Sequence, residues 1–230
     1  MTAEERYGIP KSHAEWLQIR LKGIGGSEAA AVIGQSPWCS NVELWKRKTG
    51  RATAPDISDN EAVQYGHDAE PLIRGLFALD FAHKYKTEYL GEFDMVRHPK
   101  YPFIFATLDG RLTELSTGRK GVYEGKTTSI LRSMQKEQWW KDGKPCIPQQ
   151  YFIQLLHQML ATGWDFAVLH AQLKYEYGDN PEDIRSERRT YHIERSDHLA
   201  DLEYLEEKEV YFWTQNVEKD ICPGMILPEI

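Results

Sequence analysis

Cysteine is scarce in this 230-residue chain: Cys39, Cys146 and Cys222 are odd in number, far apart, and form no C-x-x-C pair. A disulfide framework, a zinc ribbon and an iron–sulfur cluster are thereby disfavoured. Long apolar runs are also missing. No stretch approaches the length of a membrane span, and the N-terminus, with Glu4, Glu5 and Arg6, has no apolar signal-peptide core. A cytoplasmic protein without membrane contact is expected. Nor is there an excess of basic charge: 28 Lys and Arg stand against 35 Asp and Glu, a net −7. A chain that coats nucleic acid by general electrostatics is usually basic, so any DNA site here must be local. Repeats and low-complexity segments are absent too, and residues 1–230 read as one domain with a full core.

What the chain does have is a spaced set of carboxylates and one lysine. Ala106-Thr107-Leu108-Asp109-Gly110 is followed by Tyr123-Glu124-Gly125-Lys126. On an extended strand alternate side chains share a face, so Glu124 and Lys126 point one way and Gly125 the other. If Asp109 ends the neighbouring strand of a hairpin turning through Ser116-Thr117-Gly118, its carboxylate joins Glu124 around a hard cation such as Mg²⁺. Lys126 then stands beside the metal, able to orient or deprotonate a water. Taken alone, these residues equally fit a solvated strand face with a surface ion pair.

A capping box, Ser12 to Glu15, predicts a helix through Trp16, Arg20 and Leu21 that stops near Gly23. Gly23-Ile24-Gly25-Gly26 leads to a second helix with Ser27 as N-cap. A second box, Ser40 to Glu43, opens a third helix carrying Lys46-Arg47-Lys48. That basic run reads as a solvated face, with phosphate tracking as the alternative. From Asn60 to about Tyr85 a helical pattern puts Glu70 on the same stripe as Val63, Gly66, Ile73 and Phe77. A carboxylate there needs a metal or a basic partner; pairing with a nearby Arg, or capping a turn disturbed by Pro71, is the other reading.

Strand patterns follow at 88–96, 103–108, 111–114 and 121–127, then a helix around 130–141 with Trp139 and Trp140. Those tryptophans read as core or subunit contacts, with stacking on an unpaired base as the alternative. Residues 148–161 predict a helix whose polar face carries Gln150, Gln154 and His157. Strands at 166–173 and 189–193 and an acidic helix over 197–217 complete the pattern. The fold class is α/β, a mixed sheet flanked by helices.

In this order, Arg20-x6-Ser27, Gly66-x3-Glu70, Asp109-Gly110, Glu124-x-Lys126 and Gln154-x2-His157-Gln158-Met159 resemble the YqaJ-type viral recombinase family, which is similar to the exonuclease of phage lambda. The resemblance implies a restriction-endonuclease-like PD-(D/E)XK core. It implies a Mg²⁺-dependent exonuclease, with Mn²⁺ as substitute and two ions, that degrades duplex DNA from the 5′ end and leaves 3′ tails for phage-type recombination. Glu70, Asp109 and Glu124 would be metal ligands with the carbonyl of Gly125, and Lys126 would serve the attacking water. Arg20, Ser27 and Thr107 would hold the terminal 5′-phosphate. Gln154 matches a polar position near the site; His157 is expected as a hydrogen-bonded structural histidine, with site lining as the alternative. The partners implied are duplex DNA ends, two further copies in a homotrimer, and a single-strand annealing protein.

Gly125 departs from the branched apolar residue usual in the family, and Thr107 stands where the lambda enzyme has Ser. Two other functions compete: a site-cutting endonuclease of the same fold, and a non-catalytic DNA-end-binding or partner-docking module.

Overall fold

The computed structural model describes residues 10–130, 138–176 and 184–227. Helices α1 (His13–Arg20), α2 (Gly26–Val32), α3 (Asn41–Lys48) and α4 (Glu61–Asp80) precede strands β1 (Tyr85–Glu88), β2 (Met95–Arg97), β3 (Phe105–Thr107), β4 (Gly110–Glu114) and β5 (Lys120–Ile130). A hairpin of β6 (Trp140–Lys141) and β7 (Lys144–Pro145) leads to α5 (Gln149–Thr162), β8 (Phe166–Glu176), β9 (Ile184–Glu194) and α6 (Leu199–Tyr211).

Five strands form one mixed sheet in the order β1-β4-β5-β8-β9, with β5 and β8 parallel and every other pair antiparallel. Parallel neighbours cannot be joined by a tight turn, and the chain crosses from β5 to β8 through α5. Alternation along the strands splits the core. Val122, Leu169 and Ala171 face the cluster built with α2, α3, α5 and α6. Tyr123, Phe166 and Val168 face Phe77 of α4 with Tyr85 and Leu112. The same alternation carries on to the next residues of β5, so Glu124 and Lys126 fall on the α5 side while Gly125 lies under Ile73 of α4.

Several expected boundaries move. The second helix is capped by Gly25, not Ser27, because Glu28 at the third helical position accepts the Gly25 N–H at 2.9 Å. Ser27 therefore sits inside the first turn. The expected strand over 88–96 divides into β1 and β2, with Gly91 between them at φ 111°. Of the helix expected over 130–141, residues 131–137 lie outside the described residues, and Trp140-Lys141 is a strand. Asp142 and Gly143 both take positive φ, 52° and 72°, which is the backbone of a tight hairpin turn. The Ser40–Glu43 capping box forms as expected. Among the described residues all three cysteines are free, and no helix is long and apolar enough to cross a membrane.

Candidate active site

Asp109 immediately precedes β4. Antiparallel pairing sets Gly110 against Tyr123, so Asp109 lies beside the segment Glu124–Lys126. Its Oδ2 accepts the Gly125 N–H at 2.9 Å. Glu124 is 2% exposed, yet its carboxylate is fully engaged. Lys126 Nζ and Gln154 Nε2 both lie 2.5 Å from Oε1, and Gln158 Nε2 donates to Oε2 at 2.6 Å. Glu70 reaches the same place from α4. Arg74, one turn on, donates from Nη1 to Glu70 Oε1 at 2.8 Å and to the Asp109 carbonyl at 2.9 Å, clipping the helix to the start of β4.

Glu70, Asp109, Glu124 and Lys126 line one cavity of about 500 Å³. Glu70, Asp109 and Lys126 also line an adjoining depression of about 310 Å³, together with Gly125. The carboxylates thus form the wall between two hollows.

Burial pushes the Asp109 carboxyl well above the ordinary carboxylate range; the nearby Glu124 and Glu70 charges add to this, and Lys126 only partly offsets it. Burial alone would pull Lys126 down, but Glu124 and Asp109 raise it above its ordinary value, so it stands in the site as an ammonium. Among the described residues, no three acidic, histidine or cysteine side chains converge as a ready-made metal cage. Of the expected ligands, Glu70 is turned to Arg74, Glu124 to a lysine and two amides, and Asp109 to a backbone N–H. The donors still suit a hard divalent cation. They are all oxygens, burial and then the neighbouring carboxylates hold Asp109 back from ionising, and Gln158 Oε1 is buried without a hydrogen-bond partner.

Arg20, Ser27 and Thr107 come together on the same cavity. Arg20 Nη2 donates to Ser27 Oγ at 3.1 Å, and its guanidinium lies 4.6 Å from the Trp16 ring centroid. The Trp16 indole N–H in turn donates to Thr107 Oγ1 at 3.0 Å. Arg74 was not named in the sequence reading, and Trp16 and Gln158 entered it only as a helix residue and a motif residue, with no role in the site. Arg74 and Gln158 had a signal, each being four positions beyond a named residue on the same helical face.

Gln154 lines the site as expected, but His157 does not. It is wholly buried, with Nδ1 2.7 Å from Glu209 of α6 and Nε2 2.8 Å from the Phe105 carbonyl. The face of α5 turned to the site carries Gln154 and Gln158, and His157 falls one position short of it. Trp139 is buried in the core and Trp140 is partly buried.

A family model for the YqaJ-like viral recombinase domain matches residues 15–165. The chain belongs to that family. The match takes in Arg20, Glu70, Asp109, Glu124 and Gln158. The chain is 31% identical over 219 residues to the uncharacterised protein YqaJ of Bacillus subtilis (strain 168), covering 93% of itself and 59% of that relative. It thus spans about three fifths of the relative's length.

Two solved structures share the fold. An alkaline exonuclease (LHK-Exo) from Laribacter hongkongensis superposes with a TM-score of 0.62 at 22% identity, over 90% of this chain and 94% of that one. A phage-related exonuclease from Haemophilus somnus 129PT superposes at 0.53 and 17% identity, over 86% and 96% of the two chains. The mixed sheet flanked by helices is the fold that this chain shares with those two exonucleases.

Proposed function

We propose that this chain, acting as one nuclease domain, is a Mg²⁺-dependent 5′-to-3′ exonuclease of duplex DNA that exposes 3′ single-strand tails for phage-type recombination. One observation carries the reading: a carboxylate–lysine set and the set of Arg20, Ser27 and Thr107 line a single cleft. The first set suits phosphodiester hydrolysis and the second a terminal phosphate, and an enzyme that counts from a DNA end needs both.

Glu70, Asp109, Glu124 and the Gly125 carbonyl would hold the metal, which supplies charge neutralisation on the scissile phosphate and a water acidic enough to attack. Lys126 offers an ammonium donor beside Glu124, placed to orient that water and to balance charge on the phosphate. Gln154 and Gln158 fix the Glu124 carboxylate through one bond to each oxygen. Arg20, with the Ser27 and Thr107 hydroxyls, grips the 5′-phosphate by charge-assisted hydrogen bonds and so sets which bond enters the carboxylate end. Mn²⁺ should replace Mg²⁺, and the family resemblance leads us to expect two ions.

The reading extends to a cytoplasmic homotrimer closed around DNA and handing its product to a single-strand annealing protein. The test is incubation of the purified protein with linear and closed circular duplexes, with and without Mg²⁺. Loss of the linear duplex alone, and only with the metal, is the expected result. Cleavage of closed circles would make the protein an endonuclease instead.

A further inference from the structure

Lys48, the last residue of the basic run Lys46-Arg47-Lys48, is not on a solvated face. Its side chain is 1% exposed. Nζ donates to the Arg20 carbonyl at 2.7 Å and to Glu28 Oε1 and Oε2 at 2.8 and 2.7 Å. An ammonium, with three N–H donors, can serve all three acceptors at once and carries the charge that pairs with the Glu28 carboxylate. Glu28 Oε2 also accepts the Gly25 N–H, at the mouth of the cleft.

Arg20 is the other cation near Glu28. Its Nη2 stands 3.7 Å from Oε1, too far for a hydrogen bond, and makes its short contact with Ser27 instead. Glu28 is thus shared unequally: Lys48 takes the contact, and Arg20 is left facing the cleft. A half-buried carboxylate stripped of its lysine would draw in the nearest positive charge. A shift of about 1 Å would bring Arg20 to charge-assisted bonding distance.

We propose that Lys48 is a positioning residue for recognition of the DNA end: by neutralising Glu28 and tethering the Arg20 carbonyl, it keeps the Arg20 guanidinium from closing its 3.7 Å ion pair with Glu28 into a hydrogen-bonded one and leaves it available to a terminal phosphate. The inference rests on the reading of Arg20 as a phosphate ligand. The link spans three elements, α1, α2 and α3, and the lysine never touches DNA.

The test compares initial rates on linear duplexes identical except for a 5′-phosphate or a 5′-hydroxyl, for wild type, Arg20→Ala, Lys48→Met and the double variant Lys48→Met/Glu28→Gln. Lys48→Met should lower the preference for phosphate about tenfold, the worth of one hydrogen bond to a charged group, with the hydroxyl-end rate unchanged. The double variant should recover the preference. A glutamine at position 28 still accepts the Gly25 N–H but no longer attracts Arg20.

A lysine that merely packs would slow both ends alike, and neutralising Glu28 would not help. Should Lys48→Met not fold, Lys48→Gln removes the charge and keeps a donor. The inference is overturned if wild type prefers phosphate and Arg20→Ala does not, while the Lys48 variant keeps the preference or the double variant fails to recover it. A wild type indifferent to the phosphate removes the reading of Arg20 itself, and the role of Lys48 with it.

Discussion

Replacing Glu209 by Gln tests how α6 is tied to the sheet that carries the site. His157 and Glu209 are both wholly buried, and the two ring nitrogens face two acceptors, Glu209 Oε1 at 2.7 Å and the Phe105 carbonyl at 2.8 Å. Only a doubly protonated ring donates to both. Burial by itself would lower the His157 pKa; the Glu209 carboxylate against Nδ1 outweighs it and raises the pKa above the ordinary value. A histidine whose folded pKa exceeds its unfolded one stabilises fully below about pH 6.5, and that contribution is lost as pH rises through the folded value.

Breaking a buried pair from one side costs roughly 3–5 kcal/mol, and a chain of this size loses roughly 2–4 °C per kcal/mol. Glu209→Gln should therefore lower Tm by roughly 6–20 °C at pH 6. The gap should narrow as pH is raised through the folded pKa of the ring, where the wild type gives up its second proton. Thermal unfolding followed by circular dichroism, from pH 6 upward, gives the gap at each pH. A gap that stays constant over the whole range would refute the reasoning, because no proton would then leave the ring of the folded protein as pH rises. His98, which burial pulls below its ordinary pKa beside Glu206 of α6, also feels the Glu209 charge, so the comparison is repeated in a His98→Asn background.

Asp109→Ala, Glu124→Ala and Lys126→Ala should each lower Mg²⁺-dependent cleavage of linear duplex by at least about a hundredfold while the circular dichroism spectrum stays native. Of these, Asp109→Ala should still bind DNA in a gel-shift assay, since it removes a carboxyl group that would repel phosphate whenever it ionises. Glu70→Gln should shrink the rise in Tm on Mg²⁺ titration, because the ion then stabilises the folded state less; an unchanged rise would leave Glu70 as a partner of Arg74 alone. Arg20→Ala should remove the preference for a 5′-phosphorylated end, a loss of about 10- to 150-fold for a hydrogen bond worth about 1.5–3 kcal/mol, read from initial rates on the two kinds of end.

Local patterns in the sequence determined the parts that depend on a residue and its near neighbours. Alternation put Glu124 and Lys126 on one side of β5 and Gly125 on the other, and Gly125 fits because a Cβ there would stand 3.3 Å from Ile73 Cδ1. The Ser40–Glu43 box marked the start of α3, and helical spacing put Glu70 on one stripe with Val63, Gly66, Ile73 and Phe77, of which the fold buries Ile73 and Phe77, with Ala69 beside them, and leaves Val63 exposed.

Tertiary structure decided whatever depends on how elements are rotated against each other. Gln158 rather than His157 meets Glu124, because the two differ by one position on α5 and only the packing of that helix selects the face. Lys48 looked like a solvated lysine since its partner, Glu28, lies 20 positions away on another helix. Glu70 had two readings, a metal ligand or an arginine partner, and the fold puts Arg74 against it while also turning it to the cleft. Short-range spacing is written in the chain; the pairing of side chains far apart in sequence is settled only when the core closes and each buried charge must find its counterpart.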